Sequence, residues 1–413
     1  MVASIYLSFS SFVKFLNTID GTSPQSKQFS VVDISISSAA TVSISSKKWA
    51  VDLDVLMDQV KALAEQVEAL TQQNIDISKE EWDSRETSWD FASNELIKHK
   101  SDSSIEAAYT NYCDYWSKEL NTLHQNEEEL NRLFIDIYEL EDELTPEVNL
   151  KDITILKNEA KIDDDELVFQ ANEIIKQFIS YAIGCMFGRY SIDQPGLILA
   201  NQGESIDQYL HQVPNSSFMP DDDNVIPLLD GNWFTDDIVD RFNSFVRITF
   251  GSDSYNENIR FIEKSIGKDI RKYFLKDFYS DHIKRYKKRP MYWMFSSPND
   301  SFNVLIYMHR YQPDTVSIIL NEYLRKYQAK LEESRNQKEI ISISLGSSPQ
   351  EKIMALREIE KIKKILRELN DFEHETLYPL ANEKIEIDLD DGVKVNYNKF
   401  GSAIKKVAGL SGN

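Results

Sequence analysis

Cysteine, glycine and proline are all scarce in this chain, and each scarcity removes a class of structure. Two cysteines, Cys113 and Cys185, cannot build a disulfide framework or a multi-thiolate metal site. They read as small buried hydrophobes in a reducing, cytoplasmic setting. Thirteen glycines and eleven prolines in 413 residues are too few for a turn-rich all-β fold, and with 28% charged residues they favour long helices. No run of 18 or more apolar residues occurs, so no helix is expected to span a membrane. Residues 1–16 are apolar and Ser-rich but lack a basic leader, and Lys14 interrupts the run, so they read as folded structure. Net positive charge is missing too. With 46 basic against 68 acidic residues the chain carries −22, which repels phosphate at long range and excludes nucleic-acid binding by the chain as a whole. Any such contact has to be a local basic patch.

What is present is mostly helical periodicity, and the expected class is mainly α (α+β). Residues 1–48 alternate short apolar runs with Ser/Thr clusters, as strands and turns do. Leu53, Leu56, Val60, Leu63, Val67 and Leu70 follow a 3-4 spacing that predicts an amphipathic helix or short coiled coil. Ser78 with Glu81 forms a capping-box pattern and predicts the start of another element. Residues 104–144 read as a long charged helix closed by Pro146, and helical patterning resumes over 167–181. A Pro- and Asp-rich span over 193–227 is the best internal boundary. Helices return over 236–288. Two further apolar series, Leu320 to Leu331 and Ile353 to Leu369, flank Gly346-Ser347-Ser348-Pro349 and predict an antiparallel helical hairpin. Ile385, Ile387 and Leu389, then Val393, Val395 and Tyr397, alternate around Asp390-Asp391-Gly392 and predict a terminal β-hairpin with a three-residue loop.

The strongest local charge lies between Lys268 and Arg289, where nine basic residues oppose three aspartates, a net of +6. Within it Lys284, Arg285, Lys287, Lys288 and Arg289 precede Tyr292 and Trp293, a mixture suited to phosphate contact with aromatic support. A solvated helix face over buried aromatics accounts for the same pattern. His309-Arg310 follows an apolar run and is a further pair to consider, although no carboxylate or nucleophile is tied to it by spacing. The remaining histidines lack ligand spacing, and both Asp221-Asp222-Asp223 and Asp388-Leu389-Asp390-Asp391-Gly392 read as acidic turns without a metal. No glycine-rich nucleotide motif and no nucleophile elbow occurs.

Several stretches, taken in order, resemble the C-terminal region of the PglX-type adenine-specific DNA methyltransferases of BREX phage-exclusion systems. They include Glu86-Thr87-Ser88-Trp89-Asp90-Phe91, Asp142-Glu143-Leu144-Thr145-Pro146-Glu147-Val148, residues 178–190, 221–227, Asp236-Asp237-Ile238 with Arg241-Phe242, residues 273–279, 288–295, 307–311 and 385–400. Together they cover nearly all of 75–400. The resemblance implies four parts: 1–48 as a remnant of a target-recognition domain, 49–192 as a helical connector, 193–318 as a helical domain with the basic aromatic segment, and 319–413 as the two hairpins. It implies an adenine-N6 methyltransferase that marks host DNA in phage defence, with S-adenosylmethionine as cofactor of the complete enzyme and none in this chain. Its partners would be double-stranded DNA, other BREX subunits or a separate catalytic chain. An adenine amino-methyltransferase needs an Asn-Pro-Pro-Tyr-type segment to hold the flipped base, and none is present. No catalytic residue therefore carries over, and the expectation is a DNA-clamping or partner-docking piece that is inactive alone. An acidic non-enzymatic protein, either a DNA mimic or a coiled-coil scaffold, is the alternative.

Overall fold

The computed structural model describes residues 46–164 and 166–410, with side chains from Asp58 onward. The expected β-rich stretch over 1–48 lies almost wholly outside these residues. Among those described, the architecture is mainly helical with two small antiparallel sheets, and no helix is long and apolar enough to cross a membrane. The chain forms two compact units, one from residues up to Ile77 with Thr122–Val148, the other from Ser78–Asn121 with Asn149 onward.

In the smaller unit the 3-4 spacing does what it predicts. Helix α1 (Ser46–Asp83) turns Ala64 and Val67 inward, and after the short α2 (Glu95–Lys98) helix α3 (Ile105–Tyr138) opposes them with Leu130 and Phe134. Leu70, Leu133 and Ile137 border that seam. Asn126 closes one end of it by donating to the side-chain oxygens of Gln73 and Asn74 at 2.9 Å.

The larger unit is built around α4 (Ala171–Met186), which follows a β1–β2 hairpin (Ala160–Asp163, Glu166–Phe169) and is buried continuously from Phe178 to its end. A helix that is apolar on every side must be enclosed. Phe178 meets Phe242, Phe245 and Phe250 of α6 (Ile238–Phe250) at centroid distances of 5.6–6.3 Å, beyond the small α5 (Ile206–Gln212) in sequence. Then come α7 (Tyr255–Ile266), α8 (Ile270–Tyr273), a π-helical turn (Phe274–Phe278) and α9 (Tyr279–Arg285). A three-stranded sheet, ordered β3 (Ile226–Pro227), β5 (Asn303–Tyr307), β4 (Tyr292–Ser296), lies beneath them, with every residue buried. Because both faces are covered, its strands read as unbroken apolar runs without a period of two.

The helical hairpin is present. After α10 (Thr315–Ile318) and a π-helical stretch, α11 (Arg325–Ile343) and α12 (Pro349–Phe372) run antiparallel, as the ion pairs Arg325–Glu373 (2.7 Å) and Lys338–Glu358 (2.5 Å) show.

Three local expectations are corrected. Ser78 does not begin an element: α1 continues to Asp83, and Glu81 serves instead as a buried acceptor for the Leu156 amide and a partner of Arg85. Residues 167–169 are strand, and the helix begins only at Ala171. The terminal β-hairpin does not form. Past α13 (Tyr378–Glu383), Asp388 caps a single 3-10 turn, Gly392 adopts φ 84°, and α14 (Val393–Asn398) follows. Helical spacing carries Asn396, Tyr397 and Phe400 inward and leaves Val395 exposed, whereas alternation would have buried Val395 with its neighbours. The Asn396 side chain bonds the backbone of Asp388 and Gly392, replacing the ladder bonds a hairpin would have made.

Candidate nucleic-acid interface

Of the nine cations between Lys268 and Arg289, the fold commits some to itself. Lys268 pairs with Asp277 at 2.5 Å. Arg271 grips Asp237 with two bonds of 2.9 Å and also donates to the carbonyls of Leu229 and Gly231 at 3.0 Å. Arg285 is half-buried. Lys284, Lys287, Lys288 and Arg289 are exposed, and among the described residues their side chains make no ion pair or hydrogen bond.

These four stand on a strained and firmly held turn. Lys287 and Lys288 are both left-handed, at φ 50° and 63°, a conformation that costs a non-glycine residue about 1–2 kcal/mol. The helix end is closed by the Lys287 amide donating to Lys284 (3.1 Å) and the Lys288 amide donating to Ile283 (2.8 Å). Below the turn the Tyr286 hydroxyl donates to Glu86 at 2.9 Å and accepts from the Arg189 guanidinium at 3.0 Å, and Ser180 donates to the same Glu86 oxygen at 2.8 Å. Arg189 stacks on the rings of Tyr190 and Tyr286. On the other side His282 Nε2 accepts the amides of Met291 and Tyr292 at 3.0 and 3.1 Å. Burial, with Arg189 nearby, holds that imidazole well below its ordinary pKa and therefore neutral, as an acceptor must be.

The other sequence candidates lie elsewhere. Tyr292 and Trp293 are completely buried in β4: Trp293 donates to the Pro290 carbonyl at 3.1 Å and packs edge-on against Tyr397 and Phe400. Neither ring can stack on a base, because the sheet needs both as core. Arg310 is also buried, and its guanidinium donates to the carbonyls of Phe187, Asp221 and Asp222. His309 is half-buried, and desolvation, with Arg189, pushes its pKa down to about 4. The pair is thus a structural strut.

The sequence marks Asp221-Asp222-Asp223 as an acidic turn, but its spacing does not show that this turn meets Arg310 and, through Tyr323, Asp236. Asp221 accepts the Val225 amide, and Tyr323 places its hydroxyl 2.6 Å from Asp236 and 3.0 Å from Asp223. Burial, then the charge of Asp223, pushes the Asp221 carboxyl up to about 8. An acid raised in the folded state binds a proton that the unfolded chain releases, so this site subtracts stability as pH climbs from about 4 to 8. Asp221→Asn keeps the acceptor for Val225 and loses the ionisation. Urea titrations at pH 5 and pH 8 are expected to show a smaller loss of stability in the variant than in the parent; equal losses would remove Asp221 as the cause.

No family model matches the chain, but two curated proteins do. It is 39% identical over 324 residues to the adenine-specific methyltransferase PglX of Lacticaseibacillus casei (strain Zhang), covering 75% of this chain and 25% of that protein. It is 34% identical over 348 residues to the adenine-specific methyltransferase BrxX of Escherichia coli O9:H4 (strain HS), covering 78% of this chain and 28% of that protein. The chain is homologous to one part of the PglX/BrxX-type adenine-specific methyltransferases. It spans about a quarter of the length of these curated relatives. In this chain the basic turn and its buried anchor draw on Glu86, Ser180, Arg189 and Tyr286, residues up to 200 positions apart that meet only on folding.

Proposed function

We propose that this chain is the helical, DNA-handling or partner-docking region of a site-specific adenine-N6 DNA methyltransferase in a phage-defence (BREX) system, and that it is inactive alone. Its relatives are adenine-specific methyltransferases, and its own sequence holds no Asn-Pro-Pro-Tyr-type segment. Methyl transfer from S-adenosylmethionine would then depend on residues outside this sequence, in the same enzyme or in a separate catalytic chain, with other BREX subunits as further partners.

The observation that carries this reading is the basic turn, with four exposed, uncompensated cations on a rigid base in a chain of net charge −22. Strained backbone that the surroundings over-determine is a mark of functional sites, and clustered cations set the salt sensitivity of phosphate binding. The test is duplex binding measured against salt. Replacing Lys284, Arg285, Lys287, Lys288 and Arg289 by glutamine should weaken binding at least about tenfold. Each phosphate that the variant no longer neutralises should lower the slope of log affinity against log salt by about 0.9. Added labelled S-adenosylmethionine should give no transfer by the pure chain, and turnover would overturn the claim of inactivity. The overall charge favours a second reading, an acidic protein that occupies the groove of DNA-binding proteins. Absence of any duplex binding, together with capture of a DNA-binding protein, would select it.

A further inference from the structure

The buried positions of α12, namely Ala355, Ile359, Ile362, Leu369 and Phe372, follow one helical stripe. A second apolar set at the hairpin tip is not used by the fold. Ile353, Met354 and Leu356 are each more than half exposed, as are Ile340, Ile343 and Leu345 across the turn. The antiparallel register set by Lys338–Glu358 brings Ile340 level with Leu356 and Ile343 level with Ile353, so the apolar residues gather at one end. Isolated exposed aliphatics are ordinary on a protein surface, whereas a gathered patch marks an interaction site.

Along α12 Ile353 and Leu356 continue into an open, unpartnered face of that helix, formed by Ile353, Leu356, Arg357, Glu360, Lys361 and Lys364. Lys361 is paired with Asp230 at 3.2 Å and Glu360 with Lys363 at 3.1 Å, which among the described residues leaves Arg357 and Lys364 as the unpaired charges of this face, opposite in sign to the chain as a whole. The residues of this face span three helical turns, the length over which a second helix can lay an i, i+3, i+7 ridge. The tip is also preorganised: Pro349 opens α12, and Ser348 and Glu351 cap each other's backbone amides at 3.2 and 2.7 Å.

We propose that this face docks an amphipathic helix of a partner protein whose apolar ridge is flanked by Asp or Glu. Charge decides the occupant. A second copy joined face to face would set the same cations against each other, and a nucleic acid would find an aliphatic floor without an aromatic platform. The proposal uses none of the residues of the basic turn and stands or falls separately from the DNA reading.

The test uses the full chain and a fluorescent synthetic peptide of about 18 residues, five helical turns, with leucines at i, i+3/i+4, i+7 spacing and glutamate flanks. A matched peptide with lysine flanks is the control. Anisotropy should show binding of the glutamate peptide and not of the lysine peptide. Ile353→Glu with Leu356→Glu should weaken it at least about tenfold. Reversing Arg357 and Lys364 to glutamate should transfer preference to the lysine peptide. All four side chains are exposed, so the circular dichroism melting curve should not move. The proposal is overturned if the glutamate peptide fails to bind, if binding survives Ile353→Glu/Leu356→Glu, or if light scattering shows a dimer that Leu356→Glu dissolves.

Discussion

Trp293→Ala is expected to lower the unfolding free energy by about 3–5 kcal/mol while leaving the salt dependence of DNA binding by the remaining folded molecules unchanged. Trp293 follows a run of cations and looks like an aromatic platform, but its ring is completely buried between Tyr397 and Phe400 and its indole donates to the Pro290 carbonyl. Truncation to alanine removes one of the largest enclosed side chains and leaves a cavity that paired strands cannot collapse to fill. Trp293→Phe keeps most of that volume and should recover more than half of the loss. Urea denaturation followed by fluorescence and circular dichroism measures both. The opposite pattern, intact stability with abolished duplex binding, would return Trp293 to the interface and place β4 on the surface.

The second large effect is expected at Asp237. Its carboxylate is buried, receives both terminal nitrogens of Arg271 at 2.9 Å and caps α6 by accepting the Val239 amide at 2.9 Å. Asp237→Ala removes the cap, worth about 1 kcal/mol, and strands a mostly enclosed guanidinium. Arg271 keeps two carbonyl acceptors and is 22% accessible, so the sum is expected at about 3 kcal/mol, toward the lower end for broken buried pairs. Asp237→Asn can still cap and should cost clearly less. If alanine and asparagine were equally destabilising, the charge pair and not the cap would account for the whole effect; if both were silent, the bidentate pairing would be unimportant.

Arg271 shows why the site was only half legible in the sequence. Composition counts it with Lys284 and Arg289 as one basic cluster, yet it is neutralised by an aspartate 34 residues away. Tyr286 sits among lysines in the sequence, and its hydroxyl is pinned between Glu86 and Arg189. Lys284, Lys287, Lys288 and Arg289 lie exposed, since long charged side chains at a helix end rarely find burial.

The sequence by itself determined the family relationship, the predominance of helix, the amphipathic spacing of α1 and the α11–α12 hairpin. Helical hydrogen bonds close within four residues, so their period is written locally in the chain. Tertiary structure alone decided that Ile385–Tyr397 would forgo a strand pair, that Tyr292 and Trp293 would be core, and which cations of one cluster would stay free. Those outcomes depend on what each side chain meets on folding. For the Tyr286 pin that partner is 200 residues distant, and no local pattern records it.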